Sequence, residues 1–271
     1  MLIELVKAII IGIVEGVTEW LPVSSTGHMI LLDEFLRLDV SSAFLELFLV
    51  VIQLGAVLAV AVTFFRRLFP FYPGMKKPER SAVWSLWGKI VVACLPAAII
   101  GILLNDKIDE LFYNWQTVAS TLIFYGIIFI AIEKRGKNVP RIDSTSGITY
   151  KTALLIGLFQ LLSLIPGTSR SGATIIGAML LGLSRAAATE FTFFLALPVM
   201  AGASLVKLLK FGFAFTGTEA VILLIGALTA FLVSIAAIKF LTGFVKRHSF
   251  LGFGIYRVAL GTAVILFFVL A

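Results

Sequence analysis

Glu15-Gly-Val-Thr-Glu19-Trp-Leu-Pro22-Val-Ser24-Ser25-Thr26-Gly27-His28 crowds two carboxylates, a run of hydroxyls and an imidazole into one short stretch. The residues just before it, Ala8-Ile-Ile-Ile-Gly-Ile-Val14, are apolar. In a soluble chain this stretch would be an ordinary polar loop. Here 60% of the 271 residues are hydrophobic, only 14% are charged, and mean hydropathy is +1.07. That composition excludes an ordinary soluble domain. It puts the stretch at membrane depth, where ionisable groups are costly and are kept for function.

Working outward, residues 1–20 read as a helix ended by Pro22 and the Ser/Thr/Gly cluster, and residues 28–36 as a second short apolar piece. Neither reaches the roughly 20 residues that cross a bilayer core. Two short apolar halves around a polar turn predict a re-entrant hairpin, tolerated where its backbone is buried in protein or lines a cavity. Full spans are expected at 43–65, 83–104 and 115–133. After a polar connection the pattern restarts: an apolar piece at 150–165, the turn Pro166-Gly-Thr168-Ser169-Arg170-Ser171-Gly172-Ala-Thr174, and a second piece at 175–183. Three more spans follow at 187–209, 218–242 and 250–271.

The two halves also match residue by residue. Setting n against n+145 pairs Gly12 with Gly157, Glu15 with Gln160, Ser24 with Ser169, Thr26 with Ser171 and Gly27 with Gly172, while the prolines miss by one. The expected fold is therefore an all-α integral membrane protein, a single membrane domain over 1–271. It has about six transmembrane helices and two re-entrant hairpins, in internal repeats at about 1–135 and 149–271.

Charge sets the expected orientation. Arg66, Arg67, Lys76, Lys77 and Arg80 cluster in one connection, and Lys134, Arg135, Lys137, Arg141 and Lys151 in another, joined by Lys246 and Arg247. Such clusters mark cytoplasmic connections, and Asn105–Glu110, rich in acid, then faces outward. Three spans per repeat make the repeats inverted, so the two turns dip in from opposite faces and meet. Lys207 and Lys210 fall on the outer side and dissent. The net charge of +7 is topology of this kind, not a nucleic-acid surface. The lone Cys94 lies in an apolar run and suggests neither an intrachain disulfide nor a Cys-based metal site. A cleavable signal peptide is not expected either: the run before Glu15 is short, carries Lys7 and lacks a cleavage site after it.

Glu15 and Glu19, four apart, share a helix face, and so do Gly12 and Gly16, which would admit a neighbouring helix closely. Two carboxylates on one face can bind Mg²⁺ or Ca²⁺, divide into ligand and base, or be a structural pair. Ser24, Ser25, Thr26 and Gly27 open the following helix, either as an anion cradle or as a plain N-cap. His28, one of two histidines, could activate a hydroxyl, protonate a leaving group or attack phosphorus; it could also be a satisfied core residue. Arg170, between Ser169 and Ser171 and a turn before Thr174, offers a planar fork matched to phosphate, or else only balances Glu15 or Glu19. Trp20, Trp115 and the 24 phenylalanines are assigned to packing and lipid contact, and His248 to a solvated basic connection.

Glu15-Gly-Val-Thr-Glu19, Pro22-Val-Ser-Ser-Thr-Gly-His28 and Pro166-Gly-Thr-Ser-Arg-Ser-Gly-Ala-Thr174 resemble the signature motifs of the undecaprenyl pyrophosphate phosphatase, or bacitracin-resistance, family. The resemblance covers nearly the whole chain, including Val51-Ile-Gln-Leu-Gly55 and Tyr256-Arg257. It implies a multi-pass enzyme of the bacterial inner (plasma) membrane that removes the terminal phosphate of a C55 isoprenyl pyrophosphate. The product carries cell-wall precursors, and the family requires a divalent cation. By that resemblance the functional residues are Glu15, Glu19, Ser25, His28 and Arg170. Whether Ser25, His28 or a water attacks phosphorus stays open.

Two functions compete. A phosphohydrolase would hold the pyrophosphate among Arg170, the turn N–H groups and a metal on Glu15 and Glu19, reached from the outer (periplasmic) side. Ser24, Thr26, Gly27, Ser169, Ser171 and Thr174 would cradle it. A transporter or flippase would need the same cradle but no nucleophile with a base, so the Ser25/His28 pair favours the enzyme. The partners expected are the lipid substrate and the bilayer, not nucleic acid. A homodimer is compatible with these features and required by none.

Overall fold

The computed structural model describes residues 1–135, 140–212 and 215–270, apart from the side chains of Asn105, Asp106 and Asp109. Lys137, Ala271 and those three side chains thus lie outside the described part of the chain. Eleven helices are described: α1 Leu2–Thr18, α2 Ser25–Phe35, α3 Ser42–Thr63, α4 Phe65–Leu68, α5 Lys77–Phe112, α6 Trp115–Lys134, α7 Tyr150–Gln160, α8 Arg170–Leu180, α9 Arg185–Phe211, α10 Gly217–Phe244 and α11 Leu251–Leu270. Short 3₁₀ turns occupy Thr145–Gly147 and Leu161–Leu164. The described residues contain no strand, only an isolated bridge between Ile142 and Leu183.

Six of these helices, α3, α5, α6, α9, α10 and α11, are long and apolar enough to cross a membrane. The chain is an all-α, multi-pass membrane protein. The helix starts follow local chemistry. Ser41, Asn114, Thr149, Ser184 and Thr216 each accept a backbone N–H three residues on, satisfying a donor that the first turn leaves free. Thr216 and Glu219 complete a reciprocal capping box. One element departs from expectation. The span predicted at 83–104 lies inside the 36-residue α5, so Asn105–Glu110 is helical and not a loop. Apolarity marks only the stretch within the bilayer, whereas helical hydrogen bonding continues until Tyr113 and the Asn114 cap.

The packing crosses between the halves. α1 lies on α10, α7 on α5, α3 on α9, and α6 on α11. Matching α1, α2, α3, α5 and α6 to α7–α11 in order, exchange of halves turns the α1–α10 pair into α7–α5 and leaves the other two pairs in place. Small residues set these crossings. A Cβ on Gly12 would stand 2.7 Å from the Gly226 carbonyl oxygen, and one on Gly16 2.8 Å from that of Ala230, both on α10. Gly157 of α7 meets the Ala93 carbonyl of α5 in the same manner. With little hydrophobic drive between helices in lipid, such backbone approach supplies the packing. The four shorter helices α1, α2, α7 and α8 carry the two turns, which meet where Arg170 and Ser171 reach Glu19.

Candidate active site

Ser24 and Ser169, 145 positions apart, precede α2 and α8 with nearly the same backbone: φ 72, ψ 104 and φ 70, ψ 119. They are the only non-glycine residues with positive φ among the described residues. Side chains rarely adopt this region, and such strain collects where the surroundings over-determine a functional turn. Each serine hydroxyl also accepts the N–H three residues later, from Gly27 at 3.4 Å and Gly172 at 3.1 Å. The turns are thus built alike, and each aims a helix N-terminus inward.

α1 delivers the carboxylates. Glu19 N–H donates to the Glu15 carbonyl at 3.0 Å, so the helical register extends to Glu19 and both side chains share a face. Arg170, the first residue of α8, donates through one terminal nitrogen to Glu19 Oε1 at 2.9 Å and through the other to the Thr192 carbonyl at 3.0 Å. Ser25 Oγ donates to the other Glu19 oxygen, Oε2, at 3.1 Å. One carboxylate therefore links the arginine of the second turn to the serine of the first. Glu15 is 1% exposed, and its Oε1 has no hydrogen-bond partner among the described residues. Arg170 Nε is likewise buried without a partner.

The remaining residues of the second turn hold the turns together. Ser171 Oγ lies 3.3 Å from the carbonyl oxygens of both Glu19 and Leu21, and 3.1 Å from Ser169 Oγ. Thr174 Oγ1 lies 2.9 Å from the Arg170 carbonyl, to which it donates, and accepts from Thr192 Oγ1 at 2.9 Å. Expected as substrate ligands, Ser169, Ser171 and Thr174 here commit their hydroxyls to protein groups. Trp20, expected in lipid contact or packing, is fully buried, edge-on to Phe193 and beneath the Arg170 guanidinium.

His28 sits apart from Ser25, with no hydrogen bond between them among the described residues. Its Nδ1 lies 2.7 Å from the Ser24 carbonyl oxygen, and its Nε2 2.7 Å from the Tyr256 hydroxyl. A carbonyl can only accept, so Nδ1 carries the proton and Nε2 of the neutral ring accepts from Tyr256. The two rings stack with centroids 5.6 Å apart. Beside Tyr256, Arg257 is fully buried and donates to the carbonyls of Gly167 and Thr168, both at 2.9 Å, and of Pro22 at 3.4 Å. It clamps both turns from α11. Sequence reading left Tyr256 and Arg257 out of the site. The available signal was an arginine inside the apolar run of α11, a position where charge is costly.

A cavity of about 530 Å³ has Glu15, Ser25 and Thr26 on its wall, with Glu46, Glu110 and Lys207 on the wall as well. These last three belong to the start of α3 and the ends of α5 and α9, so the cavity opens at that end of the bundle. Lys207, the dissenting charge, pairs there with Glu46 at 2.7 Å. His248 lies on the Phe244 ring with centroids 4.5 Å apart.

The sequence model of the bacitracin resistance protein BacA matches residues 8–263. The chain belongs to the BacA family. Among its relatives, undecaprenyl-diphosphatase 1 of Clostridium acetobutylicum is 59% identical over 270 residues, covering 99% of this chain and 98% of the relative. The undecaprenyl-diphosphatase of Acetivibrio thermocellus is 58% identical over 98% of both chains. That of Enterococcus faecalis is 56% identical over 96% of this chain and 95% of its own. In this BacA-family chain the matched region takes in both serine turns, Glu15, Glu19, Arg170 and Arg257.

Proposed function

We propose that this chain hydrolyses undecaprenyl pyrophosphate to the monophosphate and inorganic phosphate, recycling the lipid carrier of cell-wall synthesis. The observation that carries the reading is the Glu19 carboxylate, with Ser25 on one oxygen and Arg170 on the other. A hydroxyl bonded to a carboxylate that a third group orients is the arrangement of an activated nucleophile. Ser25 Oγ attacks the terminal phosphorus, its proton passes to Glu19, and the bridging P–O bond breaks to release the lipid monophosphate. Glu19 gives that proton to the departing oxygen, then takes one from the water that cleaves the phosphoserine and returns it to Ser25 Oγ as the Oγ–P bond breaks and inorganic phosphate leaves. Arg170, positioned at the start of α8, and the N–H groups opening α2 counter the charge that develops on the transferring group. His28, held between the Ser24 carbonyl and the Tyr256 hydroxyl one turn into α2, fixes the turn that carries Ser25. A transporter would use the same cradle but has no need of the Ser25–Glu19 pair, and the relatives' names favour the hydrolase.

The residues also suit a divalent cation. Glu15 presents a buried carboxylate oxygen with no partner, one turn from Glu19. Mg²⁺ is commonly held by one or two carboxylates plus substrate phosphates. Glu15 and Glu19 would hold Mg²⁺ or Ca²⁺, which would supply charge neutralisation for the pyrophosphate oxygens.

We place the chain in the bacterial inner membrane with the cavity open to the periplasmic side, an orientation supported by the basic clusters at the opposite end of the bundle. In that placement the two short-helix hairpins enter from opposite faces as inverted repeats. The reading needs only one chain. The experiment is phosphate release from undecaprenyl pyrophosphate by the pure chain in detergent, where no gradient exists. Wild type should turn over and Ser25→Ala should not, with labelled phosphate trapped on Ser25 during turnover. A pure, folded chain that releases no phosphate would sink the hydrolase reading.

A further inference from the structure

A second cavity, of about 420 Å³, lies at the other end of the bundle from the catalytic one. α3 passes Val50 on the catalytic cavity and ends at Thr63, three residues before Arg66 on the second. At 1.5 Å per residue those walls are on the order of 20 Å apart. Arg66, Arg67 and Lys89 reach the second cavity, together with Glu79 and the Thr145–Ser146 turn.

The charges there do not balance. Arg67 pairs with Glu190 and donates to Thr145 Oγ1 at 3.2 Å. Glu79 accepts the Lys76 N–H at 3.0 Å, at the entrance to α5. Lys89 is only 9% exposed, and its one hydrogen bond among the described residues is a long one of 3.4 Å to the Ser146 carbonyl. No carboxylate lies within ion-pair distance of Lys89 or Arg66 among the described residues. A covered ammonium so poorly met is costly unless an anion completes it. Glu190 answers Arg67, and Glu79 lines the wall without pairing with Arg66 or Lys89 among the described residues, so these two are the cations left for an anion.

The surroundings indicate what kind of anion. Trp84, next to cavity residues Val83 and Ser85, is 54% exposed, and Phe71 against it is 60% exposed, with ring centroids 6.2 Å apart. Phe69 continues the row at 5.8 Å from Phe71. Exposed aromatic rings beside basic residues at the end of a spanning helix mark the headgroup level of a bilayer. An anion arriving there brings apolar chains with it. We propose that this cavity binds the singly charged phosphodiester headgroup of an anionic phospholipid, with its acyl chains along the Phe71–Trp84 face. Nothing in this depends on the catalytic reading.

The test is native mass spectrometry of the full chain in detergent, titrated separately with phosphatidylglycerol, phosphatidylcholine and inorganic phosphate. Phosphatidylglycerol should be retained at least about tenfold better than phosphatidylcholine, whose choline would be repelled. Lys89→Gln and the exposed Arg66→Gln should each weaken it by about tenfold, the loss of one charge-assisted contact. Phosphate release from the lipid pyrophosphate in phospholipid-free detergent should stay at the wild-type rate in both. Equal retention of the two phospholipids, or unchanged phosphatidylglycerol retention in both variants, would overturn the proposal. Displacement of phosphatidylglycerol by equimolar inorganic phosphate would make this a free-phosphate site and overturn the lipid assignment.

Discussion

Arg170 does two things with one planar group: it holds Glu19 and it reaches the Thr192 carbonyl. A lysine keeps the charge but cannot span both acceptors. Arg170→Lys should therefore fold while phosphate release falls by roughly 10²–10³, the usual cost of one transition-state donor. Arg170→Ala should in addition lower the melting temperature, because it leaves Glu19 covered and unpaired; removing one partner of such a pair costs on the order of 3–5 kcal/mol. A Lys variant with near-normal turnover would reduce Arg170 to a counter-charge. The sequence made Arg170, Glu15 and Glu19 legible, since ionisable groups in an oily chain stand out against their surroundings. It could not reveal what His28 touches. Tyr256 lies 228 residues away, and only the α6–α11 packing brings α11 beside α2. Because the Tyr256 hydroxyl occupies His28 Nε2, Tyr256→Phe should lower kcat with little change in KM, and His28→Ala should lower it further. Equal, wild-type kcat in both variants would leave the histidine with a packing role alone.

At the scale of elements, the decisive feature is a turn that a serine must make with φ near 70. Ser24 carries two costs that its substitutions separate. Ser24→Gly loses the hydroxyl cap but adopts the backbone freely, whereas Ser24→Ala loses the cap and keeps the strain, worth about 1–2 kcal/mol. Melting temperature should fall in the order Ser, Gly, Ala, and the same order should hold at Ser169. An alanine variant as stable as the glycine variant would mean that the turn relaxes without the serine. The repeat offset of 145 pointed to this equivalence through Ser24 and Ser169, although their conformation was invisible in the sequence. What the offset could not supply was the frame around the turns, which rests on α1 crossing α10. At Gly12 a Cβ would meet the Gly226 carbonyl oxygen at 2.7 Å. Gly12→Val should cost about 1–3 kcal/mol of stability by overpacking. Activity should fall with it, since α1 sets where Glu19 stands.

For the molecule as a whole, the spans were legible because apolar length is a one-dimensional signal, and each of the six expected runs coincides, to within a residue or two at its ends, with one of the helices that can cross a membrane or with part of it. The crossed pairing of the halves was not, because nothing in hydropathy says which helix lies against which. That pairing, with α1 on α10 and α7 on α5, is what two inverted repeats would produce, and it can be tested through the ends of α5. Lys76 just precedes this helix and Lys107 lies in its last turns; both are exposed. A 36-residue helix is about 54 Å long at 1.5 Å per residue, well beyond the roughly 30 Å hydrocarbon core, so its ends stand in water on opposite sides. In a Cys94→Ser background, a membrane-impermeant thiol reagent should label Lys107→Cys in intact cells and Lys76→Cys only after permeabilisation. Cys94 is buried against the Leu195 carbonyl, which a serine hydroxyl can also meet, so this background should fold. The sign of the result carries the function with it. The cavity beside Glu15 and Ser25 opens at the Lys107 end, and a carrier-lipid phosphatase there would act on substrate in the outer leaflet. The reverse pattern would keep the fold and the chemistry but move the active site to the cytoplasmic leaflet. Labelling of both positions from one face would break α5 as a spanning helix, and the inverted arrangement of the repeats with it.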